Sequence, residues 1–272
     1  MKNYIHIKFQ PVSKEHQEIL LAQLVELGYE GFEEGPHFIS AYIPDDQFNE
    51  TETYHLIAGT DINLTKEIIL PRNWNEEWEQ NFQPVIIDDF CGIRAHFHAP
   101  LQQVQHEIII TPKMSFGTGH HATTHLMIQS MQQLSFNDKT VLDFGTGTGV
   151  LAILAERLGA AHITAIDNDE WSIANGEENI ALNHCSNITI AQADSLQMST
   201  EFDIILANIN KHVLIANMAA IKQHLTSEGV VIMSGLLTGD KADMESSASD
   251  NGLSVFEHKT RGDWMCLVLK KY

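Results

Sequence analysis

The chain has 272 residues, enough for one large domain and one small one, each burying a core of its own. Sixteen Lys and Arg against 36 Asp and Glu leave a net charge of −20, which excludes the basic stripe of a nucleic-acid binder and favours a cationic partner such as a lysine-rich protein. The chain has no apolar run of membrane-spanning length. Its opening Met1-Lys2-Asn3-Tyr4-Ile5-His6 lacks the apolar core of a secretory signal, and the three cysteines (Cys91, Cys185, Cys266) are scattered. Together these describe a reduced, cytoplasmic protein, expected to be monomeric.

In chain order, Tyr4–Phe9 alternates as a strand does, and Lys14–Leu27 places Ile19, Leu20, Leu24 and Leu27 at helical spacing before stopping at Gly28. Phe38–Ile43 reads as a second strand, Asp46–Ala58 as a second helix and Ile68–Leu70 as a third strand. This β-α-β-α-β order predicts a small N-terminal α+β, ferredoxin-like domain over residues 1–70. It carries no catalytic motif, so a substrate-recognition role is expected. Residues 71–84 are polar and bounded by Pro71 and Pro84. Trp74, Trp78 and Phe82 recur every four residues and share one face of a helix, which predicts a helical linker docking an aromatic stripe.

Strands at Val85–Ile87, Ile93–Phe97 and Glu107–Thr111 lead into a larger domain, residues 85–272, and a helix is expected from Ala122 to about Leu134. From there strands and helices alternate. Strands fall at Thr140–Phe144, His162–Ile166, Ile188–Ala191, Ile204–Ala207 and Val230–Met233, and helices at Val150–Leu158, Glu170–Leu182, Val213–His224 and Gly239–Ser249. Such alternation predicts a parallel, doubly wound sheet. Ser254–His258 and Met265–Leu269, separated by Arg261-Gly262-Asp263, read as a closing hairpin.

The most informative segment is Val141–Leu151, V-L-D-F-G-T-G-T-G-V-L. A strand, a tight glycine turn and a helix start form a nucleotide-binding corner, because glycine lets the backbone approach a ligand closely. A dinucleotide fingerprint needs a third glycine five positions after Gly145, and position 150 is Val. The third glycine stands at 149 instead, which favours S-adenosylmethionine over a nicotinamide dinucleotide and sets aside an oxidoreductase. Ligands of such sheets bind at the carboxyl ends of the strands. Read there, the candidates are Gly145 and Gly147 in the turn, Asp167 as acceptor for ribose hydroxyls, Asp194 near an adenine amino group, and Asn208 where a methyl group would be delivered. A second glycine loop, Met114–Thr124 (M-S-F-G-T-G-H-H-A-T-T), opens the next helix, and its hydroxyls and amides suit a methionine carboxylate. His120 and His121 read as caps or packing residues before catalytic bases. His96 and His98, placed on one face of a strand, lack a third ligand, so no metal is expected.

These motifs resemble the bacterial methyltransferases of the large-subunit ribosomal protein L11. The resemblance rests on Met114–Thr124, Val141–Leu151, Ala165–Asp169 (A-I-D-N-D), Ile205–Asn210 (I-L-A-N-I-N) and the Trp-rich Asn73–Pro84. It implies a Rossmann-like, seven-stranded class I methyltransferase domain with an antiparallel last strand, preceded by a domain that grips the ribosomal protein. The family's S-adenosylmethionine positions map onto Thr124, Gly145, Asp167 and Asn208. The implied reaction is methyl transfer to lysine ε-amines, and to an N-terminal α-amine, of ribosomal protein L11. Lys113 departs from the family's usual glycine, and no Pro-Pro-aromatic run follows Asn208, as fits an sp³ amine target. No residue is identifiable as a general base. A methyltransferase acting on a different basic protein, or a module that binds S-adenosylmethionine without turnover, are the alternatives.

Overall fold

The computed structural model describes residues 3–69, 82–113, 117–196 and 198–272, and the chain divides into two compact units, Met1–Gln80 and Asn81–Tyr272. In the first, β1 (Tyr4–Gln10), α1 (Lys14–Glu26), β2 (Gly31–Gly35), β3 (Phe38–Pro44), α2 (Glu50–His55) and β4 (Asn63–Ile69) build an antiparallel sheet in the order β2-β3-β1-β4. Ser13 starts α1 by accepting from the His16 amide, and Gly28, at φ +88°, follows its end. Ile5, Ile7 and Phe9 point to one side of β1 and share a core with Leu20 and Leu24 of α1.

Three elements here differ from the sequence reading. β2 was not expected: Gly31-Phe32-Glu33-Glu34-Gly35 has a single large apolar residue, and its ladder to β3 defines it as an edge strand. The helix expected over Asp46–Ala58 is the shorter α2 behind a 3₁₀ turn at Asp45–Gln47, because Asn49 caps a new start by accepting from the Thr51 and Glu52 amides. β4 begins at Asn63, five residues before Ile68, since pairing with β1 from Gln10↔Asn63 to Tyr4↔Ile69 holds residues that are largely exposed. The helix expected over the linker, with Trp74 and Trp78, lies outside the described residues.

The second unit opens with a small sheet of β5 (Val85–Ile87), β6 (Cys91–Ala95) and β7 (His106–Ile110). β6 ends at Ala95, so His96 and His98 do not lie on a strand as expected. They occupy the turn beyond it, where the His98 ring accepts from the Ala95 amide at 3.2 Å. The larger sheet follows from α3 (Ala122–Met131), β8 (Thr140–Phe144), α4 (Val150–Arg157), β9 (His162–Asp167), α5 (Glu170–Leu182), β10 (Ile188–Gln192), β11 (Phe202–Asn208), α6 (Lys211–Gln223), β12 (Leu225–Leu237), α7 (Lys241–Asp250), β13 (Leu253–Arg261) and β14 (Trp264–Lys271).

Its seven strands run in the order β10-β9-β8-β11-β12-β14-β13, parallel from β10 to β12 and antiparallel at β14 and β13. Both faces are covered, which explains the near-continuous apolar runs of the central strands. Alternate residues of β11 feed opposite cores: Ile204 and Leu206 one, Ile205 and Ala207 the other. β12 is far longer than the expected Val230–Met233 and carries a bulge between Met233 and Leu236. α6 starts two residues earlier than expected, and α7 starts behind a 3₁₀ turn at Thr238–Asp240. Strand order reverses between β8 and β11, where the connections diverge to either side and leave a crevice at the carboxyl ends.

Candidate functional site

A cavity of about 480 Å³ opens at that crevice. Its wall follows the sheet order strand by strand: Asp194 after β10, Asp167 ending β9, Gly145 and Gly147 after β8, Asn208 ending β11, Gly235 within β12, and Trp264 opening β14. Thr124, in the first turn of α3, lies on the same wall. The structure therefore gathers Thr124, Gly145, Gly147, Asp167 and Asn208, named from sequence, around one space.

The glycine turn takes its shape from backbone conformations that L side chains avoid. Gly145, Gly147 and Gly149 have φ of +77°, +54° and +80°. The amides of Gly145 and Thr146 both donate to the Ile166 carbonyl, at 2.8 and 2.9 Å, tying the turn to the end of β9. A side chain at 145 would have its Cβ 2.2 Å from Ile209 Cγ2, so the close approach of the loop after β11 requires glycine. Beneath the turn, fully buried Asp143 accepts from Thr146 Oγ1 at 2.6 Å and from the Ala152 amide at 3.2 Å. Burial pushes its carboxyl up to about 7, against the opposing pull of those two hydrogen bonds. Asp143 stood within the motif without an assigned role, and its place as the buried anchor of the turn emerges from the fold.

Asp167 accepts from the Gly147 amide at 2.9 Å with Oδ2 and from the Asp169 amide at 3.1 Å with Oδ1. An ionised carboxylate offers about four lone-pair sites, so each oxygen keeps acceptor capacity toward the cavity. Asp167 is not taken up in capping the next helix: Asp169 caps α5 by accepting from the Trp171 and Ser172 amides. Asp194 also reaches the cavity, and its carboxylate accepts from Ser195 Oγ at 2.9 Å.

The upstream glycine loop meets the glycine turn directly. Thr148 Oγ1 donates to the Gly117 carbonyl at 2.9 Å, and a Cβ on Gly117 would stand 2.7 Å from that same oxygen. Met114, Ser115 and Phe116 lie outside the described residues. His121 is the N-cap of α3, with Nδ1 accepting from the Thr123 amide at 3.3 Å and pairing with Thr123 Oγ1 at 2.8 Å. His120 points elsewhere, pairing with the Gln83 carbonyl at 3.0 Å and with Thr118 Oγ1 at 3.1 Å, its ring edge-on to Phe82. Among the described residues no cluster of three or more metal-ligating side chains exists, and no helix is long and apolar enough to cross a membrane.

At the end of β11, Asn208 Nδ2 donates to Thr124 Oγ1 at 3.4 Å, while its buried Oδ1 has no hydrogen-bond partner. An unsatisfied buried oxygen is costly, and here it belongs to a residue on the cavity wall. Gly235 and Trp264 are among the lining residues that escaped the sequence reading. Gly235 sits inside β12, and Trp264 follows the β13–β14 turn. The second had a signal: an antiparallel last strand begins where its parallel neighbours end, which places its first side chain beside the site.

The sheet order and the cavity at its switch point define an α/β methyltransferase-like fold with a large mixed sheet. A solved structure of a ribosomal protein L11 methylase from Lactobacillus delbrueckii subsp. bulgaricus superposes with a TM-score of 0.66 at 28% identity, covering 70% of this chain and 99% of its own. Residues 10–272 match the family described as ribosomal protein L11 methyltransferase (PrmA), and the chain belongs to that family. Relatives bearing the same description include one from Phocaeicola vulgatus, 36% identical over 96% of both chains, and one from Porphyromonas gingivalis, 39% identical over 92% of this chain and 89% of its own.

Proposed function

We propose that this chain transfers methyl groups from S-adenosylmethionine to amines of ribosomal protein L11, namely lysine ε-amines and an N-terminal α-amine. The observation that carries the reading is the buried, unpartnered Oδ1 of Asn208, whose Nδ2 donates to Thr124 Oγ1, on a cavity whose opposite end presents Asp167 and a glycine turn. That arrangement suits a ligand with a ribose at one end and a reacting group at the other. Asp167 would accept from the ribose hydroxyls, and Gly145 and Gly147, both at positive φ and without side chains, would let the turn approach the ligand closely. Thr124 and the α3 N-terminus would face the methionine part. When bound, S-adenosylmethionine supplies an electrophilic methyl carbon: the amine lone pair forms the new N–C bond as the S–C bond breaks, leaving a neutral thioether.

A lysine amine is protonated at neutral pH, with a pKa near 10.4. The amine arrives as its cation; the protein's share is to favour its neutral form by desolvation in the cavity and to hold it in line. Asn208 Oδ1 can accept a hydrogen bond from the entering amine, and the proton given up passes to solvent.

In this reading residues 1–70 form the substrate-recognition domain, a ferredoxin-like module given its β-α-β-β-α-β order, residues 71–84 the linker, and residues 85–272 the methyltransferase domain, acting as a cytoplasmic monomer. The acidic balance of 36 carboxylates against 16 basic residues supports a basic protein partner over nucleic acid. Incubation of the purified chain with S-adenosylmethionine and purified L11, followed by mass spectrometry, should show gains in methyl-sized steps, placed on amines by fragment ions. No gain, with cofactor binding intact by calorimetry, would refute the substrate and keep the cofactor.

A further inference from the structure

The β14 end of the cavity presents an aromatic wall that the reading above does not use. Trp264 lines the cavity, partly buried, and meets the His121 ring edge-to-face with centroids 4.5 Å apart. Both rings are fixed. His121 is committed to capping α3. Trp264 is the first residue of β14, registered opposite Leu237 of β12 and Arg261 of β13, and the turn before it is tied down by the Thr238 amide donating to the Asp263 carbonyl at 2.8 Å. The indole also packs against the core beneath α3 and β14.

Position across the sheet says what such a wall can serve. Neighbouring strands lie about 4.8 Å apart. Asp167 stands on β9, Asn208 two strands away on β11, and Trp264 two strands further on β14. If Asp167 holds a ribose and Asn208 marks the reacting end, Trp264 lies beyond the reacting end, on the side from which the acceptor must enter. Between Asn208 and Trp264 the floor is Gly235, whose Cβ would be 2.3 Å from the Ile209 carbonyl oxygen, so nothing larger can stand between the two. Half-exposed Val213 of α6 extends the apolar rim.

We propose that Trp264, braced by His121, is the positioning residue for the acceptor side chain. Its indole packs along the aliphatic stem of an alkylamine and attracts the cationic form on arrival, guiding the nitrogen toward Asn208. A flat ring suits a flexible, unbranched stem and restricts it to few rotamers, which is the entropy a line-up of nitrogen and methyl carbon needs removed. The proposal rests on amine methylation as the chain's activity.

The test uses the full chain with L11 and S-adenosylmethionine, comparing Trp264→Met, which keeps apolar bulk without a ring, with Trp264→Phe, which keeps a ring. Trp264→Met should lower kcat/KM for L11 by about 30-fold, mostly in kcat, while the cofactor Kd from calorimetry stays within about twofold. Trp264→Phe should recover most of the loss. His121→Asn, which preserves a capping side chain and removes the brace, should lower kcat/KM about fivefold in the same direction and serves if Trp264→Met does not fold. The proposal is overturned if the Met and Phe variants are equal, if kcat/KM is unchanged, or if cofactor affinity falls in step with it. A wild-type chain that methylates no amine of L11 refutes the underlying reading and this proposal with it, whereas an active wild type with an indifferent Trp264 refutes this proposal alone.

Discussion

The two halves of the cavity are built from different materials. Toward β8 and β9 the wall is mainly backbone: three glycines at positive φ, amides committed to Ile166 and Asp167, and a buried carboxylate beneath. Toward β11, β12 and β14 it is side chains, with Asn208, Trp264 and His121 presented by a strand end, an antiparallel strand start and a helix cap. A backbone wall suits a ligand that is always the same and can be contoured closely. A side-chain wall suits an acceptor that arrives on the end of a flexible stem, because shape and polarity can be set one residue at a time.

Each half of the cavity can be disrupted by a single substitution. The largest effect is expected where the side-chain half depends on backbone after all, at Gly235. This residue has φ +87°, and a Cβ there would lie 2.3 Å from the carbonyl oxygen and 2.8 Å from the carbonyl carbon of Ile209, neither of which can swing away. Gly235→Ala should cost about 3 kcal/mol or more, lowering Tm by roughly 6–12 °C in a thermal melt. A loss under about 1 kcal/mol would mean that the loop after β11 shifts freely and that the floor of the acceptor side is not fixed. Next comes Asp167→Ala. It removes the acceptor proposed for the ribose and frees the Gly147 amide, so S-adenosylmethionine affinity by calorimetry should fall about 50-fold with the melt lowered by only a few degrees. Normal affinity in that variant would overturn the assignment of the whole glycine-turn half.

The same contrast explains what the sequence could tell. Gly145, Gly147 and Asp167 are legible because backbone geometry restricts the residue types allowed: positive φ and close approach select glycine, and the end of the second strand needs an acceptor that sits a fixed distance further along the chain. Thr124 and Asn208 follow once strand ends and a helix start are placed. Gly235 is not legible in this way, and Trp264 only through the antiparallel last strand, because their nearness to Asn208 comes from strand order across the sheet and no local spacing encodes it. The misplaced elements of the first unit have a related cause. β2 and β4 are held by antiparallel pairing with β3 and β1 while their own side chains are mostly exposed, so neither shows the alternation of a half-buried strand.

The smallest effect sharpens the account of the backbone half from below. Asp143 is wholly buried, its Oδ1 has no partner, and the charge of nearby Asp167 adds to the burial that holds its carboxyl near 7, against 3.8 for an ordinary aspartate. Between those two values the folded chain keeps the proton and the unfolded chain has lost it, so unfolding free energy must fall as pH rises through this window and level off above it. From pH 6 to 7.5 the contribution amounts to about 1 kcal/mol at 1.36 kcal/mol per unit. Asp143→Asn carries no titrating proton, yet its amide oxygen can still accept from Thr146 and Ala152. Chemical denaturation of the two proteins at both pH values should therefore show the wild type losing that stability and the variant keeping it. Parallel losses would mean that Asp143 is ionised throughout, and that the turn is held by a buried charge with two hydrogen bonds in place of a neutral acid shielded from Asp167.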